Sequence, residues 1–117
     1  MGRIVHFEIT ADDIKRATAF YANAFGWSCT GSPFIDGYEV ADTGKGPGID
    51  GAIMRREYQV QPAVLWLSVP DIDSAMAAVR EAGGTADSDV QNIPGQGRVT
   101  YVRDSEGNVL GLKEPTA

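Results

Sequence analysis

The segment DIKRATAFYANAFG, residues 13–26, returns in altered form as DIDSAMAAVREAGG, residues 71–84. The two segments share six identical positions, which include the opening Asp-Ile pair and the closing glycine. An apolar run precedes each of them, IVHFEI in the first case and AVLWLSV in the second. A repeat over half of the chain predicts two copies of one supersecondary unit that pack together.

Strand-like segments precede and follow each of these repeated segments. Residues 3–10 and 63–69 are apolar and rich in β-formers, which predicts a strand at the start of each half. Turn-rich stretches such as DTGKGPG, NIPGQG and DSEGN separate shorter β-like segments. These shorter segments are 27–31, 35–42, 49–56, 86–90, 98–103 and 108–114.

The repeated segments themselves have the signals of helices. Asp12 or Asp13 can cap the first helix through its carboxylate, and Asp71 can cap the second. Gly26 and the glycine pair 83–84 suit the left-handed residue that ends a helix. Apolar residues at helical spacing predict a buried stripe on each helix, and the aromatic residues of the first helix are expected in the core. The stripes are Ile14, Ala17, Tyr21, Ala24 and Phe25, then Ile72, Ala75, Met76, Val79 and Ala82, with Phe20 and Trp27 as further core residues.

The predicted elements give a strand, a helix and three strands in each half, so the expected fold class is α+β. The two βαβββ modules are expected at about residues 1–58 and 59–117. A ferredoxin-like βαββαβ fold would have two strands between its helices, where this pattern has four. Because one helix covers one face of a four-stranded sheet, the modules are expected to form a curved mixed sheet cup. Pairing of concave faces between two copies predicts a homodimer.

Composition narrows the range of partners. The net charge of -6 and the absence of a basic stripe oppose binding to nucleic acid or to an anionic membrane surface. One cysteine, Cys29, and one histidine, His6, exclude an internal disulfide and a structural zinc cluster. No run resembles a signal peptide or is long enough to span a bilayer, so a cytoplasmic location is expected.

Two stretches, DDIKRATAFYANAFGW (12–27) and RDSEGNVLGL (103–112), resemble the vicinal-oxygen-chelate superfamily of glyoxalase I, bleomycin-resistance proteins and extradiol dioxygenases. The stretches HFEI, GIDGAIMRR and DSEGNVLGLKE resemble its glyoxalase-related branch of unassigned activity. The resemblance covers nearly the whole chain. It implies the glyoxalase/bleomycin-resistance/dihydroxybiphenyl-dioxygenase fold.

The resemblance also implies where metal ligands would lie. In metal-dependent members, the first and last strand of each module supply one ligand each, and the cation polarises a substrate with two adjacent oxygens. The corresponding residues here are His6, Ala52, Val64 and Gly111, of which only His6 can ligate. The resemblance therefore implies a degenerate metal site and no bound cofactor.

Two carboxylates near these positions could replace missing ligands. Glu8 shares a strand face with His6 because strand side chains alternate, so it could add a second donor for a weakly held divalent metal. Glu114 lies three positions beyond Gly111, and an odd separation should turn it to the opposite face.

Small residues at positions 52 and 111 are expected to leave room in the cup for a small organic ligand. The protein is then expected to bind such a molecule without catalysing a reaction.

The alternative is a metal-assisted lyase, isomerase or epimerase, similar to lactoylglutathione lyase, that acts on a small oxygenated metabolite. His6 and Glu8 would then be the catalytic base and its orienting group. Trp66 could stack on the ligand or could pack in the core or the dimer. The expected ligand-binding residues are His6, Glu8, Ala52, Val64, Trp66 and Gly111.

Overall fold

A computed structural model describes residues 2–116 and contains the same run of elements twice. This order confirms the α+β prediction of tandem βαβββ units. The first set is β1 (Arg3–Ala11), α1 (Ile14–Phe25), β2 (Ser28–Gly31), β3 (Tyr38–Asp42) and β4 (Gly51–Arg55). The second is β5 (Ala63–Ser68), α2 (Ile72–Glu81), β6 (Gln91–Ile93), β7 (Gly97–Arg103) and β8 (Val109–Pro115).

Residues 6–64 form one compact unit. Its strand order is β2-β3-β4-β1, in which β1 and β4 are parallel and the other pairs are antiparallel. The register places Glu8 opposite Ala52, and Ala52 in turn opposite Val40. Glu8, Ala52 and Val40 therefore present their side chains on one face of this sheet.

The other unit joins the N-terminal residues up to Val5 to the chain from Leu65 onward. Its strand order is β5-β8-β7-β6, with β5 and β8 parallel and Trp66 opposite Gly111. One face of α2 packs on this sheet through buried apolar side chains. The core cluster consists of Val69, Ile72, Met76, Ala86, Val102 and Leu112.

The helix ends follow the sequence signals. Asp13 caps α1 by accepting a hydrogen bond from the backbone N–H of Arg16, and Asp71 caps α2 by accepting from two backbone N–H groups. Gly26 ends α1 with a φ of 77°, in the left-handed region that favours glycine. No helix among residues 2–116 is long and apolar enough to cross a membrane.

The expected burial of α1 is wrong, because none of its residues is buried. Ile14, Ala17 and Tyr21 are half-buried, whereas Ala24 and Phe25 are exposed. Phe20, expected in the core, is also exposed. Helical spacing predicts that apolar residues share a face, but it does not predict that the same chain covers that face.

The prediction of a strand at residues 86–90 is also wrong, because the corresponding strand β6 begins at Gln91. Thr85 forms an isolated bridge to Arg103, and residues 87–89 carry polar side chains. The hydroxyl of Thr100 donates to the carbonyls of Ser88 and Asp89. A side chain on β7 thus replaces the ladder hydrogen bonds that would have extended the strand.

Candidate functional site

One tyrosine hydroxyl joins the two residues that sequence reasoning selected as candidates for catalysis. The Tyr38 hydroxyl donates to Glu8 Oε2 at 2.8 Å, and His6 Nε2 lies 2.9 Å from the same oxygen. All three residues belong to the compact unit of residues 6–64. His6 and Glu8 therefore face the same side of β1, as strand alternation predicts.

The small side chain of Ala52 gives Tyr38 its path to Glu8. Tyr38 is on β3, whereas Glu8 is on β1, and β4 lies between these strands. Two strand spacings amount to about 10 Å, which a tyrosine and a glutamate can span only by crossing the face of β4. Ala52 occupies the position on β4 directly opposite Glu8, and its methyl group leaves that space open.

The hydrogen bonds constrain the proton on His6. Tyr38 has one hydroxyl proton, and the Glu8 carboxylate is an acceptor that takes it. The hydroxyl oxygen then accepts from His6 Nε2, so that nitrogen carries a proton in either the neutral or the charged ring. In the neutral ring Nδ1 holds the lone pair. This arrangement can orient a base, or can present polar groups to a ligand.

Burial separates the predicted ligand-binding residues into two groups. Ala52 and Val64 have no exposed surface, and Glu8 is 2% exposed. Only His6 is half-buried, as is its hydrogen-bond partner Tyr38. Ala52 and Val64 are therefore not in contact with solvent, whereas His6 and Tyr38 are partly accessible.

Trp66 and Gly111 lie in the other unit, where the expected free space is absent. Gly111 has no side chain, but a Cβ on this residue would overlap with the Trp66 indole. Trp66 is 8% exposed and also packs against Tyr101, with ring centroids 5.1 Å apart. The indole thus fills the volume next to Gly111, which corrects the expectation that a small residue there would enlarge a cavity.

The donor set for a metal ion is incomplete. Within residues 2–116, no group of three or more His, Cys, Asp or Glu side chains could hold a metal. At the positions implied by the resemblance, Ala52 and Val64 are buried apolar residues and Gly111 is covered by Trp66. Sites for catalytic cations need about three protein ligands, so the residues present do not fit such a metal.

Glu114 faces away from Gly111, as the odd spacing predicts. Its carboxylate accepts from Arg98 Nε at 2.9 Å and from the backbone N–H of Ile72, at the start of α2, at 3.0 Å. The hydrogen bond from Arg98, with that from Ile72, lowers the pKa of Glu114 to about 2. Glu114 therefore ties β8 to α2 and is not a substitute ligand.

A cavity of about 770 Å³ in the unit of residues 6–64 lies at the beginning of α1, away from the candidate residues. Arg55 at its wall pairs with Asp36 at 3.4 Å and Glu57 at 3.3 Å. Arg56 pairs with Asp12 at 3.0 Å. Both arginines that line this cavity therefore already have carboxylate partners.

Sequence reasoning missed Tyr38. The alternation of residues 38–42 indicates that Tyr38 and Val40 share a strand face, and Val40 on that face is an exposed apolar residue. The pairing of β3 with β4 was needed to see that this face is also that of Glu8. Turn chemistry alone does not specify that pairing.

Comparisons with known proteins agree with this architecture. A family model described as Glyoxalase/Bleomycin resistance protein/Dioxygenase superfamily matches residues 3–112. A Glyoxylase-like domain-containing protein from Didymella fabae is 30% identical over 119 residues, which cover 95% of this chain and 92% of that protein.

Solved structures show the same fold. Methylmalonyl-CoA epimerase from Mycobacterium tuberculosis superimposes with a TM-score of 0.70 at 18% identity, covering 99% of this chain and 89% of that chain. A hypothetical protein from Bacillus halodurans C-125 gives a TM-score of 0.73 at 14% identity, with coverages of 99% and 96%. The chain therefore belongs to the Glyoxalase/Bleomycin resistance protein/Dioxygenase superfamily.

Proposed function

We propose that the protein binds a small organic molecule with polar oxygens at the half-exposed ends of His6 and Tyr38, without a metal ion. The observation that carries this proposal is the buried Glu8 carboxylate, which holds the Tyr38 hydroxyl in place. Burying a carboxylate is costly unless it is hydrogen-bonded, so the hydrogen-bonded network that joins Glu8 to the half-buried His6 and Tyr38 is a candidate binding site. In the homodimer expected from the sequence, each chain would carry one such site.

The surroundings of this network suit a ligand with both polar and apolar parts. Val40 follows Tyr38 on the same face of β3 and is 42% exposed. It can contact the apolar part of a ligand, while the half-buried imidazole of His6 hydrogen-bonds a polar oxygen of the ligand. A short organic acid or an ester of one has this combination of groups.

A second candidate function is metal-independent proton transfer by an isomerase or epimerase. The hydrogen bonds that orient His6 favour it, because a fixed imidazole can take a proton from a carbon next to a carbonyl and return it. The resulting enolate needs a hydrogen-bond donor, and the imidazole that has taken the proton can donate it from the same nitrogen. The likeness in fold to methylmalonyl-CoA epimerase supports testing acyl-CoA thioesters as substrates.

Binding is tested by thermal shift with a library of small carboxylic acids, their esters and acyl-CoA thioesters. A ligand should raise the midpoint of the native protein and of a Tyr21→Phe control, since binding stabilises the folded state. The same ligand should give a smaller shift with His6→Ala and with Tyr38→Phe. A hit that stabilises all four proteins equally would place the site elsewhere.

Proton transfer is tested by NMR in D₂O. Each hit with a carbonyl group is incubated with the native protein, and deuterium at the adjacent carbon is followed over time. Exchange that depends on His6 supports the isomerase reading, whereas binding without exchange supports a binding protein. Exchange that persists in His6→Ala would exclude His6 as the base.

A further inference from the structure

The sheet of the unit from Leu65 onward has a second face, which α2 does not cover. Leu67 and Leu112 pack on the α2 side, so the residues next to them in each strand point to the opposite side. Trp66 and Gly111 lie on that opposite side, where a Cβ on Gly111 would overlap with the indole. We call this side the Lys113 face, and the residues that matter here are Trp66, Ser68, Val99, Tyr101, Gly111 and Lys113.

Two polar side chains meet on the Lys113 face. Ser68 and Lys113 are directly opposite each other in the parallel pair of β5 and β8, and both are half-buried. Neighbouring strands lie about 5 Å apart, so the hydroxyl and the ammonium group can reach the same small ligand. Within residues 2–116, neither side chain has a hydrogen-bond or salt-bridge partner. Both can therefore donate to an acceptor from outside the chain.

The strands of this unit place no carboxylate beside Lys113. Glu114 is the only acidic residue in strands β5, β6, β7 and β8 as the structure describes them. It points to the α2 side, where it accepts from Arg98 and from the backbone N–H of Ile72. A partly desolvated ammonium group without an opposite charge is unfavourable. A bound anion would supply that charge, although the chain as a whole has a net charge of -6.

The side chains around this pair are apolar or aromatic. Val99 is directly opposite Lys113 on β7 and is half-buried. Tyr101 follows on the same strand face, is also half-buried, and packs against Trp66 with ring centroids 5.1 Å apart. Such walls suit a ligand with an apolar body. Phosphate sites usually add several backbone N–H groups to their cation, so a single lysine with a hydroxyl better matches one carboxylate.

We propose that the Lys113 face binds a monocarboxylate with an apolar body. The carboxylate accepts hydrogen bonds from the Lys113 ammonium group and the Ser68 hydroxyl, and the apolar body lies against Val99 and Tyr101. A hydrogen bond between two charged groups is stronger than one between neutral groups, so Lys113 contributes more to the affinity than Ser68 does. The site shares no residue with the one proposed at His6 and does not rest on it.

Benzoate is the probe, because it combines one carboxylate with an aromatic ring. Titration of ¹⁵N-labelled protein, followed by NMR, should shift the backbone amide signals of Ser68, Val99 and Lys113 with one common Kd. Benzyl alcohol has the ring without the charge and should leave these signals in place, and inorganic phosphate should bind more weakly than benzoate. The proposal is overturned if benzoate shifts only signals around His6, or if either control ligand binds here as tightly as benzoate.

Substitution of Lys113 tests the role of its charge. Lys113→Met keeps the length of the side chain and should weaken benzoate binding about tenfold, because a charged hydrogen-bond donor is lost. The matched control is Lys45→Met, at an exposed position between β3 and β4, which should keep the native Kd. Unchanged affinity in Lys113→Met, or an equal loss in Lys45→Met, would contradict the proposal.

Two further variants keep the test decisive. Ser68→Ala should weaken benzoate binding by a smaller factor than Lys113→Met, and if Lys113→Met does not fold, unchanged affinity in Ser68→Ala overturns the proposal. His6→Ala should leave the Kd measured at the Lys113 and Ser68 amides unchanged. The same variant should reduce binding at the site proposed above, so each of the two sites can fail without the other.

Discussion

The Trp66 indole lies over Gly111 of the neighbouring strand and fills the volume that a side chain at residue 111 would need. The two residues are directly opposite each other in the parallel pair β5 and β8. On this face of the sheet, the large side chain of Trp66 occupies the space left by the missing side chain of Gly111, so the two strands pack closely. The position that the family resemblance assigns to a metal ligand is therefore part of the packed interior.

Gly111→Ala should destabilise the protein by about 1–3 kcal/mol, because the methyl group forces the indole or the strand to move. Equilibrium unfolding in urea measures the change. Gly31→Ala on β2 is the control, since a Cβ there meets only the end of the flexible Glu39 carboxylate. If the loss of stability equalled that of the control, the indole would be able to move away from Gly111 without a free-energy cost.

Tyr38→Phe should lower the free energy of unfolding by about 1–3 kcal/mol. The variant keeps the ring but removes the proton that Glu8 accepts, and a buried carboxylate without that donor has a desolvation penalty. Urea unfolding measures the loss, and Tyr21→Phe on α1 controls for removal of a hydroxyl. Equal stability of the two variants would mean that Glu8 does not need the phenol.

The free energy of unfolding should decrease in acid because Glu114 becomes protonated. Its pKa in the folded state is about 2, below the ordinary value of 4.5, so the unfolded chain takes up its proton first as the pH falls. The contribution of this group is present above about pH 4.5 and is lost between there and pH 2.

Unfolding in urea from pH 7 to pH 2 should therefore show that native protein and Glu114→Gln differ in stability at neutral pH and converge in acid. Glu81→Gln, a change at an exposed position at the end of α2, controls for the loss of one charge. A constant difference across this range would assign the effect of Glu114 to packing instead of ionisation.

Chelation should leave the protein unchanged. Protein purified without chelator should contain far less than one equivalent of zinc, nickel, manganese or iron, and EDTA should not shift its thermal midpoint. The reason is that the residues at three of the four ligand positions are apolar or lack a side chain. Near-stoichiometric metal in the purified protein, with a lower midpoint after chelation, would contradict this.

The fold could be predicted from sequence because the repeat of residues 13–26 and 71–84 is local information. Apolar spacing, caps and glycines specify each helix by itself, and the same order of elements occurs twice. The burial of α1 could not be predicted in this way. Whether Phe20 and Phe25 are covered depends on partners distant in sequence or on a second chain, and no local pattern contains that information.

The candidate site shows a similar division. Alternation along β1 was enough to place His6 and Glu8 on one face. Tyr38 required the strand order, because it reaches Glu8 across β4 and is 30 residues away in the chain. The packing beside Gly111 could not be predicted from the sequence, because the absence of a side chain does not indicate which neighbour occupies the volume.

The contrast between the helices has a consequence for local opening of the structure. Ile72 and Met76 of α2 are buried in a core cluster, whereas α1 has no buried residue. In an isolated chain, α1 can detach from the sheet at a lower free-energy cost than α2, so its amide hydrogens should exchange with solvent sooner.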